Sequence, residues 1–232
     1  MNRSEWNLHA DEFETTVCDI VARETNNQIA KLVGIACKSR KELILVDLGC
    51  GLGSFIRKFS DRFAKVFAFD FATRIVARAR RRCVRVSNAE WLAMDISRAA
   101  KVIGNCADLT VCLNVVTARS NAKRRDLWMS IYEVTKPSGF ALIVVPSIES
   151  QKMVEVLGKY PDEMTQDGLV KRDGAWQKFF SREEFASTLS SHGFEIRQLA
   201  KVYYPWRVEG LRKPRLSSQM PWDWICLAQR AP

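Results

Sequence analysis

A chain of 232 residues can bury one core of ordinary size and leaves no room for two full domains. Its 47% hydrophobic and 27% charged residues exclude a disordered tract, and no apolar run reaches the ~20 residues of a bilayer span. The net charge of +10 calls either for an anionic partner or for well-solvated basic faces, and is silent on the fold.

In chain order, the first sixteen residues (MNRSEWNLHADEFETT) lack the apolar centre of a signal peptide, so a cytoplasmic location is expected. Residues 12–36 then repeat apolar side chains at helical spacing, from Phe13, Val17, Ile20 and Val21 to Ile29, Leu32 and Val33. One or two amphipathic helices are predicted there. ELILVDLG (42–49) is a short apolar run closed by glycine, the pattern of a strand buried on both faces. Helical SFIRKFSDRF, a second strand AKVFAFDF and helical ATRIVARARRR follow, with a third strand predicted around 84–88. Residues 107–115 form the fourth strand, 122–135 a helix, Lys136-Pro137-Ser138-Gly139 a turn, and 140–145 the fifth strand. Such alternation implies right-handed crossovers and a parallel sheet covered on both sides. Residues 147–174 lose the rhythm and end in Asp173-Gly174, a hairpin signal. Ser181, with Glu183 and Glu184 behind it and Gly193 as stop, brackets a capped helix, with His192 as a cap at its end. The last strands are predicted at 194–204 and 222–228.

Seven scattered cysteines never form a CxxC pair and only two histidines are present, so neither a metal site nor a disulfide framework is expected.

The chemistry concentrates in Val46-Asp47-Leu48-Gly49-Cys50-Gly51-Leu52-Gly53, where a strand runs through three alternate glycines into a helix. Missing side chains allow a tight turn and close approach of a ligand to free N–H groups. The dinucleotide fingerprint G-x-G-x-x-G fails here, because its last position counted from Gly49 is Ser54. An acid inside the strand, Asp47, suits a cationic ligand better than a pyrophosphate.

This D-x-G-x-G-x-G pattern resembles motif I of class I S-adenosylmethionine-dependent methyltransferases, in particular small bacterial-type enzymes acting on small molecules. The likeness continues in order through Asp70 at a strand end, Ala93-Met94-Asp95-Ile96, residues 107–115, and Lys136-Pro137-Ser138-Gly139-Phe140, where Ser138 replaces the family's glycine. It implies a three-layer αβα sandwich around a seven-stranded, mostly parallel Rossmann-like sheet with its last strand antiparallel. It further implies S-adenosylmethionine as cofactor. Asp47, Gly49, Cys50, Gly51 and Gly53 would hold its methionine part, Asp70 its ribose hydroxyls, and Phe71, Met94, Asp95 and Ile96 its adenine. Leu113 and Asn114 would line the reaction centre.

The expected division is a helical lid region at 1–38, a cofactor core at 42–146, an acceptor-side insertion at 147–180 and a C-terminal part at 181–232. Candidate acceptor contacts are Trp6, Glu149, Tyr160, Trp176, Lys178 and Tyr203, with His9 as the candidate catalytic residue. Aromatic groups interleaved with a few polar ones suit a small molecule methylated at nitrogen or oxygen. No DN dipeptide, D/N/S-P-P-aromatic motif or Pro-Cys nucleophile is present. Competing readings are an RNA methyltransferase using the basic runs at 78–85 and 119–125, a non-catalytic cofactor-binding subunit, and a nicotinamide oxidoreductase.

Overall fold

The computed structural model describes residues 7, 19–38, 41–158, 163–172, 175–214 and 218–232. Two short helices lead in: α1 (Ile20–Arg23), capped by the Asp19 carboxylate, and α2 (Gln28–Ala36). Glu24–Asn27 break what the spacing presented as a continuous apolar face, and Asn27 adopts a left-handed conformation at φ 52°. The alternating core follows: β1 (Ile44–Leu48), α3 (Ser54–Phe59), β2 (Lys65–Asp70), α4 (Thr73–Arg82), β3 (Ala89–Ala93), α5 (Ala99–Ile103), β4 (Ala107–Leu113), α6 (Asn121–Val134) and β5 (Thr135–Pro146). The third strand starts after the predicted 84–88. Val84 to Asn88 instead carry the chain from α4 to β3. The expected turn at 136–139 is drawn into the start of β5, with Ser138 at φ 60° absorbing the irregularity.

Seven strands form one sheet in the order β3-β2-β1-β4-β5-β10-β9, where β9 is Phe194–Tyr203 and β10 is Trp222–Arg230. The pairs from β3 to β5 are parallel, and β10 runs antiparallel to both β5 and β9. This is the expected sheet with its last strand reversed. Trp128, Ile131, Phe185 and Leu189 cover one face, and Ile29, Leu32, Phe55 and Ile56 cover the other, which completes three layers. Strand order reverses between β1 and β4, and a crevice opens there at the carboxyl ends.

The stretch without rhythm holds α7 (Ile148–Gly158) and a small antiparallel sheet of β6 (Glu163–Met164), β7 (Leu169–Arg172) and β8 (Ala175–Lys178). The pairing of Arg172 with Ala175 makes β7 and β8 a hairpin. Helix α8 (Arg182–Ser191) begins where the Ser181 hydroxyl accepts from Glu184 N–H at 3.0 Å and ends at Gly193, φ 81°. The His192 ring lies 2.8 Å from the Thr188 carbonyl, as a cap would. No helix among the described residues is long and apolar enough to cross a membrane.

Candidate active site

At the carboxyl end of β1 the chain turns through Gly49 (φ 82°), Gly51 (φ 50°) and Gly53 (φ 78°). A Cβ on Gly49 would stand 2.3 Å from Val115 Cγ2, so only glycine lets this turn lie against the loop after β4. The turn is stitched to β2. Gly49 and Cys50 N–H both donate to the Phe69 carbonyl at 2.8 Å, and Gly51 N–H donates to Asp70 Oδ2 at 3.2 Å. Asp70 Oδ1 accepts from Ala72 N–H at 3.0 Å, so one carboxylate pins both ends of the crevice.

Asp47 and Asp70 are both buried here. Desolvation, with Asp70 and Asp19 nearby, pushes the Asp47 carboxyl up to about 8, and its Oδ2 has no hydrogen-bond partner. Burial also raises Asp70, against the pull of the N–H groups of Ala72, Gly51 and Phe71. Two desolvated acids and an orphaned oxygen form a cradle for a group carrying positive charge. The amides of Gly49, Cys50 and Gly51 are not free, as the glycine pattern suggested they would be, but are spent on β2. The crevice is lined by Asp47, Gly49–Leu52, Leu113 and the segment Asp19–Val21. The Ser54 hydroxyl donates to the Asp19 carboxylate and so ties α1 down onto the turn.

On the far side of β4, Asn114 sits at φ 56° and its amide Nδ2 donates to Asp223 Oδ2 at 2.7 Å. A carboxylate only accepts, so this bond fixes which way the amide points and leaves Asn114 Oδ1 buried and unpartnered. Trp222 Nε1 is likewise buried without a partner.

Residues 45–139 match a family model described as a methyltransferase domain. Among solved structures, an N-methyltransferase NodS from Bradyrhizobium japonicum is similar at 13% identity and TM-score 0.62, over 88% of this chain and 85% of that one. The magnesium protoporphyrin IX methyltransferase of Synechocystis aligns at 13% and 0.63, over 99% and 97%. The 1,6-didemethyltoxoflavin-N1-methyltransferase of Burkholderia thailandensis aligns at 15% and 0.66, over 100% and 92%. No curated protein matches by sequence. The matched residues run from β1 into β5, and over nearly the whole chain the likeness to those structures is one of fold.

Of the residues singled out for the cofactor, Asp47, Gly49, Cys50, Gly51 and Leu113 line one crevice, Asp70 closes its edge, and Gly53 instead packs against Cys83 and Trp91. Met94 follows, its N–H donating to the Asp70 carbonyl at 2.9 Å. Asp95 Oδ1 caps the turn at Ile96 by accepting from Ser97 N–H and hydroxyl, Ile96 is buried, and Phe71 lies under the Lys123 ammonium at 5.9 Å. Trp6, His9 and Tyr160 lie outside the described residues.

The acceptor candidates scatter more. Lys178 is buried in an ion pair with Glu184 (2.7 Å) and also donates to the Asp167 carbonyl, so its ammonium is occupied in tying the insertion to α8. Glu149 accepts from Arg182 N–H, Trp224 Nε1 and the Ser147 hydroxyl, each at 2.9 Å. Burial alone would raise its carboxyl, but those donors outweigh it and hold the group below the usual range. It knots α7, α8 and β10 together. Trp176 is half-buried beneath Arg119 and Lys171, and Tyr203 receives α1–α2 through its carbonyl, which accepts from Thr25 N–H. Asp19, Ser54, Asp223 and Trp222 were not foreseen as site residues. An acid before a helix is a common cap, and Asp223 meets Asn114 across 109 positions. Among the described residues no group of three or more His, Cys, Asp or Glu is placed to hold a metal.

Proposed function

We propose that this domain methylates a nitrogen or oxygen of a small molecule held at the carboxyl end of β4. The observation that carries the reading is the buried, unpartnered Asn114 Oδ1, locked in place by Asp223. A lone acceptor at that depth costs free energy until a donor reaches it, and an acceptor substrate bearing N–H or O–H supplies one. Accepting that hydrogen aims the substrate's lone pair and partly relieves it of its proton.

S-adenosylmethionine supplies a methyl group already activated on a sulfonium, so no residue of the chain has to create the electrophile. Asp47 suits the methionine ammonium, and the remaining lone pairs of Asp70 suit the ribose hydroxyls. Leu113 and Asn114 separate the two ligands. The N-terminal region 1–38 acts as a cover and 147–180 as the acceptor-side wall. Support for the wall comes from Lys178 N–H, which donates to the Thr117 carbonyl just beyond β4 at 2.9 Å. Support for the cover comes from α1: the crevice beneath it holds only about 70 Å³ of free space, against roughly 300–1,000 Å³ for ligand pockets in general. α1 therefore lifts for entry.

The test is adenosylhomocysteine formation, read by mass spectrometry, with S-adenosylmethionine and a panel of heteroaromatic amines, phenols and carboxylic acids. A parallel reaction contains purified RNA. Turnover that depends on a small molecule, and that Asn114→Ala removes while adenosylhomocysteine still binds, supports the proposal. Turnover with RNA alone overturns it.

A further inference from the structure

The structure splits the chain's basic residues into those it uses internally and those it does not. Within 119–125, Arg124 is buried and donates to the carbonyls of Ala118 (2.6 Å) and Arg119 (2.8 Å). Lys136 pairs with Asp108, and Arg230 donates to the carbonyls of Tyr132 and Thr135. The run at 78–85 behaves differently at its end. Beyond α4 the chain turns at Cys83–Val86, closed by Val86 N–H donating to the Cys83 carbonyl at 2.9 Å. That turn faces the end of α3 across a groove of about 480 Å³. Arg57 and Ser60 stand on one side, Arg82, Val84 and Arg85 on the other, and no acidic side chain among the described residues lines it.

The frame of the groove is fixed. The Asn88 amide donates to the carbonyls of Ser60 (2.9 Å) and Phe63 (2.7 Å), and buried Cys83 rests its thiol 3.5 Å from the Gly53 carbonyl. Among the described residues Arg57 and Arg85 take part in no ion pair. The positive field converges on the floor, where Arg57 and Arg82 pull the Cys83 thiol down against the burial that pushes it up. The like charges of Arg57 and Arg85 repel one another across the groove, and a bound anion removes that repulsion.

We propose that this groove is a second ligand site, behind the glycine turn, that takes the phosphate group of a nucleotide-sized molecule. Planar guanidinium forks match phosphate oxygens two at a time, and those of Arg57 and Arg85 with the Ser60 hydroxyl suit a multiply charged anion better than a single carboxylate. The groove also exceeds what inorganic phosphate fills. Val84, 81% exposed at its rim, offers an apolar ledge for the rest of the ligand. The proposal does not depend on which acceptor is methylated.

The test is calorimetric titration of ATP, AMP and pyrophosphate into the full chain saturated with adenosylhomocysteine, so that the methyl-transfer crevice is already filled. Saturable one-to-one binding is expected for at least one probe. Arg57→Gln with Arg85→Gln should weaken it by at least about tenfold. A charge-matched control, Lys101→Gln with Lys152→Gln on exposed positions, should change it by less than about twofold. Thermal melts check that both variants fold. Absence of saturable binding by any probe overturns the proposal, as does an equal loss in the control. A single-stranded RNA of twenty nucleotides, titrated at several salt concentrations, is the last arm. Tighter binding than ATP with a steep salt slope, lost in the groove variant, would make the groove part of an RNA-tracking surface and would also overturn it.

Discussion

The two walls of the crevice at the carboxyl ends of β1 and β4 are built on opposite plans. The wall at β1, proposed for the cofactor, is main chain: three glycines at positive φ, with amides of Gly49, Cys50 and Gly51 already committed to β2. The wall beyond β4, proposed for the acceptor, is side chain on side chain, as in Asn114 on Asp223, Glu149 on Trp224 and Lys178 on Glu184. A wall of backbone tolerates no extra atom, because nothing in it can rotate away. A wall of side chains shares its constraints among many partners, so one loss is spread and partly repaired. The first kind should fail abruptly on minimal substitution and the second gradually.

The sharpest test is Gly49→Ala set against Gly210→Ala. Both glycines sit at positive φ, 82° and 70°, but an added Cβ meets Val115 at 2.3 Å in the first case and nothing within 4 Å in the second. Left-handed strain alone costs an alanine about 1–2 kcal/mol, which is all that Gly210→Ala should show in a urea melt. Gly49→Ala should add about 1–3 kcal/mol of overlap and lose adenosylhomocysteine binding in calorimetry. Equal behaviour of the two variants would mean that the turn is not pressed against the loop after β4.

Asp47 gives the next largest effect, and its sign follows from burial. The unfolded carboxyl titrates near 3.8 and the folded one at about 8. Between those values the native state keeps a proton that the unfolded chain has lost, so the apo protein loses stability as pH rises across the window. Asp47→Asn should remove that slope, leaving a variant more stable than the native apo protein at pH 8 by an amount on the order of a few kcal/mol. The same variant should bind adenosylhomocysteine at least about tenfold more weakly, since a charge-assisted contact is gone. Native binding near pH 7 should release a proton, seen as a buffer-dependent enthalpy. A flat stability profile for the native apo protein would remove the buried acid from the account.

The contrast between the walls also explains what the sequence disclosed. The glycine turn was legible because a positive φ under a close neighbour admits one residue type, and that necessity is written locally. β1, β2, β4 and β5 were legible because burial on both faces demands unbroken apolar runs. β3 was misplaced because an edge strand escapes that demand: no residue of Ala89–Ala93 is fully buried, so its apolar signal is weak. Asn114 and Glu149 were picked out as polar residues near the crevice. What holds them is separated by 109 and 75 positions and leaves no mark on the nearby sequence. Lys178 was misread for the same reason, with its ion-pair partner on the next helix.

Lys178→Met sharpens that correction with a moderate effect. Methionine keeps the buried volume and removes the charge, while Glu184, with its side chain 42% exposed, can turn to water. A loss of about 1–3 kcal/mol in urea is expected, with adenosylhomocysteine affinity unchanged, because the contact supports the insertion rather than a ligand. Weakened cofactor binding at native stability would return Lys178 to the crevice.

The smallest equilibrium effect belongs to the place where the two plans meet. Ser54, the residue that spoils a dinucleotide fingerprint, donates its hydroxyl to Asp19 and holds α1 against the glycine turn. A glycine there could not make this tie, so the departure from the fingerprint has a structural use. On the proposed gating, in which α1 lies over the crevice before and after the ligand enters, Ser54→Ala should speed adenosylhomocysteine entry and exit together. Its Kd should then shift by less than the fivefold or so that one hydrogen bond is worth at about 1 kcal/mol. Trp91 lies beside Gly53, with a ring atom 3.0 Å from where a Cβ would be, and supplies a fluorescence signal for stopped-flow measurement of both rates. Ser54→Thr keeps the hydroxyl and should restore native rates. Unaltered rates in the alanine variant would show that α1 is not the gate, whatever crosses the crevice elsewhere.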